Sequence, residues 1–296
     1  MYPDLNLKEN VIHGTKDRPI HALHFSTADE SFFVPNHWHG YIEILLIRRG
    51  IYECSINLET QILHAGDICI LNRGDLHQIK NLETDCCHDA LLFEPEILLF
   101  AYSDAWNAAI LQPFLHHALL IKNVISNDHP AHAPLHSLID LLLRTALEEG
   151  NRWYEQSKLR LLELMILLEQ YQCLISAESA RSDMEIKKID RYKQIVSYME
   201  HHYQEPVTLQ ELAAIIPCNS QYLCRFFKEV SGMTPIRYLI QYRIEESCKR
   251  LLETSDSVSD IALDCGFENI SYFIRKFREI KSCTPKEYRM RNSISS

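Results

Sequence analysis

A pattern that recurs fifty residues later constrains this chain more than any other feature. Tyr222, Arg225, Phe227, Thr234, Pro235 and Tyr238 return in register as Tyr272, Arg275, Phe277, Thr284, Pro285 and Tyr288. Leu212-Ala213 returns as Ile261-Ala262, one residue off that period, which places a length difference in a turn. Matched identities in register mark one supersecondary unit used twice.

Each unit opens on a helix-entry signature. Thr208-x-x-Glu211 and Ser257-x-x-Asp260 put a hydroxyl and then a carboxylate before a short apolar helix, Leu209–Ile216 or Val258–Leu263, as in a capping box. Pro217-Cys218-Asn219 and Cys265-Gly266-Phe267-Glu268-Asn269 then break the helix. Asn219 and Asn269 suit the N-cap of a second helix. Two short helices joined by a tight turn make a helix-turn-helix.

The second helix of each unit carries the chemistry. Over Asn219–Lys228, Tyr222, Leu223, Phe226 and Phe227 form the expected buried stripe, leaving Ser220, Gln221, Cys224, Arg225 and Lys228 outward. Over Asn269–Arg278 the outward set is Ile270, Ser271, Ile274, Arg275 and Arg278. Arg and Gln pair with guanine and adenine edges, and apolar tips suit thymine methyls. Lys228 and Arg278, near the helix ends, are placed for phosphates. One such helix is most simply a solvated surface; two, each with Arg at the same place, point to double-stranded DNA. The formal charge of −10 is no obstacle, because residues 1–184 carry −12 and residues 185–296 carry +2.

Residues 195–289 resemble the AraC/XylS family of transcription regulators. The resemblance runs through Ile195-x-x-Tyr198-Met199-x-x-His202, Thr208-Leu209-x-x-Leu212-Ala213, Tyr222-Leu223-x-Arg225-x-Phe227-Lys228 and Gly232-x-Thr234-Pro235. It continues in Arg243, Ile261-Ala262-x-x-x-Gly266-Phe267, Ser271-Tyr272-Phe273-x-Arg275-x-Phe277 and Thr284-Pro285-x-x-Tyr288-Arg289. Asn219 replaces the family's usual Ser, and Cys283 its usual Gly. The resemblance implies two helix-turn-helix modules joined by a long helix, about Ile236–Glu253, that enter successive major grooves. Family habit favours an activator, with RNA polymerase a further partner.

The amino-terminal part reads differently. Ile20–Phe25, Ile42–Arg48, Tyr52–Leu58, Asp67–Leu71 and Asp89–Phe93 are short strands between turn residues, which suggests a barrel or sandwich. His37-x-His39-x-x-x-Glu43 followed by Gly50 is similar to the first signature of the cupin barrel. Gly66-Asp67, Gly74, His77 and Asn81 fall at the spacing of the second, with Asn72 where cupins place Pro. In metal-binding cupins the ligands correspond to His37, His39, Glu43 and His77, a set suited to a divalent ion with open positions. Regulators of the AraC type commonly keep this strand pattern without metal. DNA binding requires no cofactor, so a divalent metal here is an added expectation. Trp38 and Tyr41, with His37, His39, Glu43 and His77, would bind a small-molecule effector, a sugar or similar polar metabolite. Burial in the core accounts for Trp38 equally well.

The expected fold is multidomain α+β: an N-terminal cupin β-barrel with flanking helices and a C-terminal all-α double helix-turn-helix. Its parts are an effector-binding barrel (1–100), a helical dimerisation or packing region (101–175), a linker (176–186) and the DNA-binding domain (187–292). Helices within 135–174 supply either a homodimer contact or packing inside the chain. Residues 1–18 read as an arm that either folds over the pocket or contacts the DNA-binding domain. Ten cysteines without a C-x-x-C pair read as reduced, buried thiols, and only adjacent Cys86 and Cys87 suggest redox sensing. No apolar run approaches the ~18 residues of a membrane span, and the amino terminus is unlike a signal peptide, so a cytoplasmic protein with no membrane partner is expected. The rival from another class is a metal-dependent cupin enzyme fused to a DNA-binding domain.

Overall fold

The computed structural model describes residues 13–27, 32–180 and 183–292. They divide into two units, one ending at Ile186 and the other beginning at Lys187.

The first unit is built on strands β1 (Ile20–Thr27), β2 (Phe33–His37), β3 (Ile42–Arg49), β4 (Tyr52–Ile56), β5 (Glu59–Leu63), β6 (Ile68–Leu71), β7 (His77–Asn81), β8 (Cys86–Phe93), β9 (Leu119–Ile121), β10 (Val124–Ile125) and β11 (Leu174–Ser176). One antiparallel sheet has the order β1-β8-β3-β6-β10 and a second β2-β7-β4-β5. Their inner faces meet in a shared core in which Leu45, Ile47, Cys69 and Leu92 lie with Tyr52, Cys54, Leu63 and Ile79. The opposite face of the first sheet is buried too. Ile42, Ile44, Leu46, Leu91 and Phe93 pack beneath the helices α2 (His132–Glu148) and α3 (Trp153–Gln170), which follow the single turn α1 (Gln112–Leu115). Burial on both faces is why Ile42–Ile47 reads as an unbroken apolar run rather than an alternating one.

The boundary expected at residue 100 falls inside this architecture. β10 pairs with β6, at Val124↔Cys69 and Ile125↔Ile68, so the 101–175 region extends the first sheet as well as supplying helices. Nor is 176–186 an open linker. Ser176 closes β11 against β9, α4 (Ala177–Ala180) follows, and α5 (Asp183–His201) begins within it. The Ser and Glu that make the stretch look like a linker also cap and form helices: Ser179 N–H donates to Ser176 Oγ at 3.2 Å.

The second unit continues through α6 (Leu209–Ile215), α7 (Ser220–Ser231), α8 (Pro235–Glu253), α9 (Val258–Asp264), α10 (Ile270–Lys281) and α11 (Pro285–Asn292). α8 serves both modules. Tyr238 packs on Phe227 of the first, at a ring separation of 5.8 Å, while Ile244, Cys248 and Leu251 enter the core of the second. Two arginines close the modules in the same way. Arg243 donates to the carbonyls of Tyr203 and Glu205, and Arg289 to those of Leu251 and Asp256. Arg243 ties down two carbonyls of the loop after α5, and Arg289 one in the last turn of α8 and one in the loop that follows it.

Candidate functional site

The histidine cluster of the first unit is assembled by strand register. His37 on β2 lies directly across from His77 on β7, and their rings are 4.1 Å apart. His39 follows at the start of the β2–β3 connection, held where its carbonyl accepts from Gly74 N–H at 2.9 Å. Glu43 comes from β3 in the facing sheet. The turn that delivers His77 is fixed by buried Asp75, whose carboxylate accepts from Asn57 Nδ2 (2.8 Å), Asn72 N–H (2.8 Å) and Asn123 Nδ2 (2.9 Å). Asn72 earns its departure from the cupin pattern: its amide exchanges hydrogen bonds of 2.8 and 2.9 Å with the backbone of Ile121 on β9, which proline could not do.

The imidazoles share one orientation. Nδ1 of His37 lies 3.0 Å from the carbonyl of Pro35, that of His39 3.2 Å from Tyr41 O, and that of His77 2.8 Å from Asp75 O. A carbonyl only accepts, so each Nδ1 carries a proton and each ring turns its Nε2 into the site. The ligand atoms of the three rings lie within 4.8 Å of one another. Nε2 of His39 and of His77 face Glu43 Oε2 at 3.1 and 3.4 Å. Burial alone would raise the Glu43 carboxyl, but its hydrogen bonds to His39 and His77, and their charge, outweigh it and hold the group well below the ordinary carboxylate range.

The structure thus brings His37, His39, Glu43 and His77 together. Tyr41 borders them, its ring 6.0 Å from that of His39 and its hydroxyl accepting from His13 N–H at 3.2 Å. Trp38 is buried at 8% exposure, which favours the core role over stacking on an incoming ligand. His13 was not apparent in the sequence: its ring stacks on His21 at 5.8 Å and meets Tyr41 edge-on at 5.2 Å. Of the expected arm, residues 1–12 lie outside the described residues. Cys86 and Cys87 face opposite ways. Cys86 Sγ donates to the carbonyls of Ile51 and Glu83, whereas Cys87 faces His24, so the two do not form a dithiol.

In the second unit Asn219 and Asn269 cap α7 and α10, accepting from Tyr222 N–H at 2.8 Å and Tyr272 N–H at 2.9 Å. Thr208 and Glu211 form the complete capping box, and Ser257 caps α9. Gln221, Arg225, Lys228, Ile270, Ser271, Arg275 and Arg278 are exposed, while Ser220 and Cys224 are half-buried. Two expectations change. Ile274 is half-buried against the core of the second module, because one helix turn after Ile270 the face has rotated toward α8. Tyr222, expected inside, is 37% exposed, with the Arg225 guanidinium 6.0 Å from its ring centroid. Tyr272 and Arg275 repeat that pairing at 5.2 Å. The Tyr-x-x-Arg spacing in both repeats was the available signal. Among the described residues Arg225, Lys228, Arg275 and Arg278 make no ion pair, in contrast to Lys188, Arg250, Lys276 and Lys281. Cations with no ion-pair partner among the described residues, on the face of an N-capped helix, are available to phosphates and base edges.

Family models agree with both halves. An AraC-like ligand binding domain matches residues 19–165 and a helix-turn-helix domain matches residues 212–291. The chain belongs to the AraC family. The uncharacterized HTH-type transcriptional regulator YdeC of Bacillus subtilis (strain 168) is 29% identical to this AraC-family protein over 296 residues, 98% of each chain. The HTH-type transcriptional activator RhaS of Enterobacter sp. (strain 638) is 24% identical, covering 88% of this chain and 89% of its own. The crystal structure of ToxT from Vibrio cholerae O395 covers 93% of this chain and 98% of its own at 14% identity, with a TM-score of 0.42. This AraC-family chain is a DNA-binding transcription regulator with a ligand-binding domain, and not an enzyme. Among its described residues no helix is long and apolar enough to cross a membrane.

Proposed function

We propose that the protein is a cytoplasmic transcription activator controlled by a small polar effector, a sugar or similar metabolite, bound beside His37, His39, Tyr41, Glu43 and His77. The observation that carries this reading is the convergence of three imidazoles and a carboxylate on one buried point in a unit distinct from the DNA-binding modules. Effector binding biases a homodimer between DNA-binding arrangements, with RNA polymerase as the partner of the activating one. The dimer contact lies on α3, where Leu159 (67% exposed) and Ile166 (51% exposed) stand two turns apart on one face. Ser220, Gln221, Cys224, Arg225 and Lys228 of α7 read one half-element. Ile270, Ser271, Arg275 and Arg278 of α10 read the other.

The shared orientation of the three rings favours a second reading of the same pocket, in which it holds a divalent ion. Three Nε2 atoms and a carboxylate oxygen form a donor set that fits such an ion once the rings are deprotonated there, with His37, His39, Glu43 and His77 as the residues that would hold it. A divalent ion there supplies open coordination positions for an oxygen-bearing effector.

A genome-fragment selection with the full chain, with metal analysis on the same preparation, tests both. Enrichment of two half-elements about one helical turn apart is expected, as is a thermal shift with at least one member of a monosaccharide panel, lost in His39→Ala. No enriched motif overturns the DNA reading. A shift with carboxylates but no sugar overturns the effector class, and metal-free protein whose stability is indifferent to added Mn²⁺ and Zn²⁺ overturns the ion.

A further inference from the structure

The outer face of the first sheet carries a constellation that ligand and DNA binding do not use. His24 on β1 is the direct cross-strand partner of Asp89 on β8, and Cys87 lies two residues before Asp89 on the same face. A thiol, an imidazole and a carboxylate are therefore brought together by register. His24 Nδ1–H donates to Asp89 Oδ1 at 2.6 Å, which directs the Nε2 lone pair toward Cys87 Sγ at 3.9 Å. The carboxylate is itself fixed. Asp89 Oδ2 accepts from Arg48 Nε at 2.6 Å, and Arg48 Nη1 donates to Asp140 of α2 at 2.5 Å. The His24 side chain is 55% exposed, whereas that of Asp89 is 6% and Cys87 is 8% exposed, so solvent and small molecules reach the buried thiol past the edge of the imidazole.

We propose that Cys87 is a covalent modification site for soft carbon electrophiles of the α,β-unsaturated carbonyl class, with His24 as its general base and Asp89 positioning His24. Burial pushes the Cys87 thiol up, as do the carboxylates of Asp89 and Asp85, against the opposing charges of Arg48 and Arg49. The sulfur at rest is thus a thiol, and its reactivity depends on a base within reach. In the step, Sγ bonds to the β-carbon as its proton passes to His24 Nε2. The electron pair of the C=C bond moves to the enolate, and the imidazolium then returns the proton to the α-carbon. The net result adds S–H across the double bond and requires no oxidant. Disulfide chemistry lacks a partner, because the neighbouring Cys86 thiol points to the opposite face of the strand.

Timed exposure of the full chain to a maleimide, with labelled cysteines mapped by mass spectrometry, decides the matter. Cys87 should be modified at least about tenfold faster than half-buried Cys218 and Cys224, and His24→Ala should slow it on the order of a hundredfold. Imidazole added to the buffer should restore much of that rate. Unchanged labelling of Cys218 and Cys224 serves as the internal check on folding. Modification of Cys87 no faster than those two in the parent overturns the proposal, as does a rate indifferent to His24→Ala. A loss that imidazole fails to rescue assigns His24 a packing role and overturns its function as base.

Discussion

Acidification between pH 7 and 5 should destabilise the sensor unit through His88. That imidazole is 2% exposed, stacked on Phe25 at 4.9 Å, edge-on to Tyr52 at 5.0 Å, and joined to the Tyr52 hydroxyl through Nδ1 at 3.0 Å. Burial pushes its pKa from 6.5 down to about 4, with His24 acting in the same direction and Glu43 and Asp89 opposing. The folded state therefore binds the proton less readily than the unfolded chain. Stability is complete above about pH 6.5, falls as the pH drops, and stops falling below about 4. The full gap corresponds to about 3 kcal/mol, of which about 2 kcal/mol is lost by pH 5. The three tryptophans, Trp38, Trp106 and Trp153, all precede the second unit, so urea unfolding followed by tryptophan fluorescence reports on the sensor unit alone. His88→Gln keeps a partner for Tyr52 and does not titrate. Every other titrating group is common to both proteins, so the difference in their pH slopes isolates His88. Equal loss in parent and variant between pH 7 and 5 would refute the reasoning.

Arg225→Ala and Arg275→Ala should each cost about 1–3 kcal/mol at one base position and relax selectivity there, whereas Lys228→Ala should weaken all sequences alike and lower the salt slope by about 1; binding titrations across salt and single-base operator variants separate the two. Gly266→Ala should destabilise the DNA-binding unit by about 2 kcal/mol or more, since Gly266 has φ +80° and an added Cβ would meet the Tyr203 carbonyl and the Arg243 guanidinium; tyrosine-monitored melting of the full chain measures it. Leu159→Asp combined with Ile166→Asp should shift the protein toward monomer in sedimentation while leaving it folded, because both side chains are exposed on the single chain.

The helices of the second unit were legible because their signals are local. The caps at Thr208, Asn219, Ser257 and Asn269 declare themselves within four residues, and the repeat supplied a second copy of each. The strands without an apolar run were not. β2, β5 and β7 carry Pro35, Gln61 and Lys80 on faces left partly exposed, so their pairing is set by neighbours far away in sequence. The same limit separates the two clusters of the first unit. His37, His39, Glu43 and His77 could be grouped by a spacing pattern, and the structure adds how backbone carbonyls orient the rings. His24, Cys87 and Asp89 have no such pattern, and only the β1–β8 register unites them. Tyr222 was misplaced because aromatic residues at helical spacing default to the core, whereas here the ring lies flat beside Phe226, at 6.0 Å and 4°, and leaves its edge in solvent.

Because α8 contributes to both modules, it works as a ruler. Its 19 residues span about 28 Å, a little less than one turn of the double helix. Packing on either side leaves no joint within that length. An operator with an extra half-turn inserted between its half-elements can therefore be held by only one module at a time. For the same reason, under the function proposed above, a ligand bound in the first unit has no spacing to adjust between the two reading heads. It can only change how often the pair is presented to DNA, and in which company.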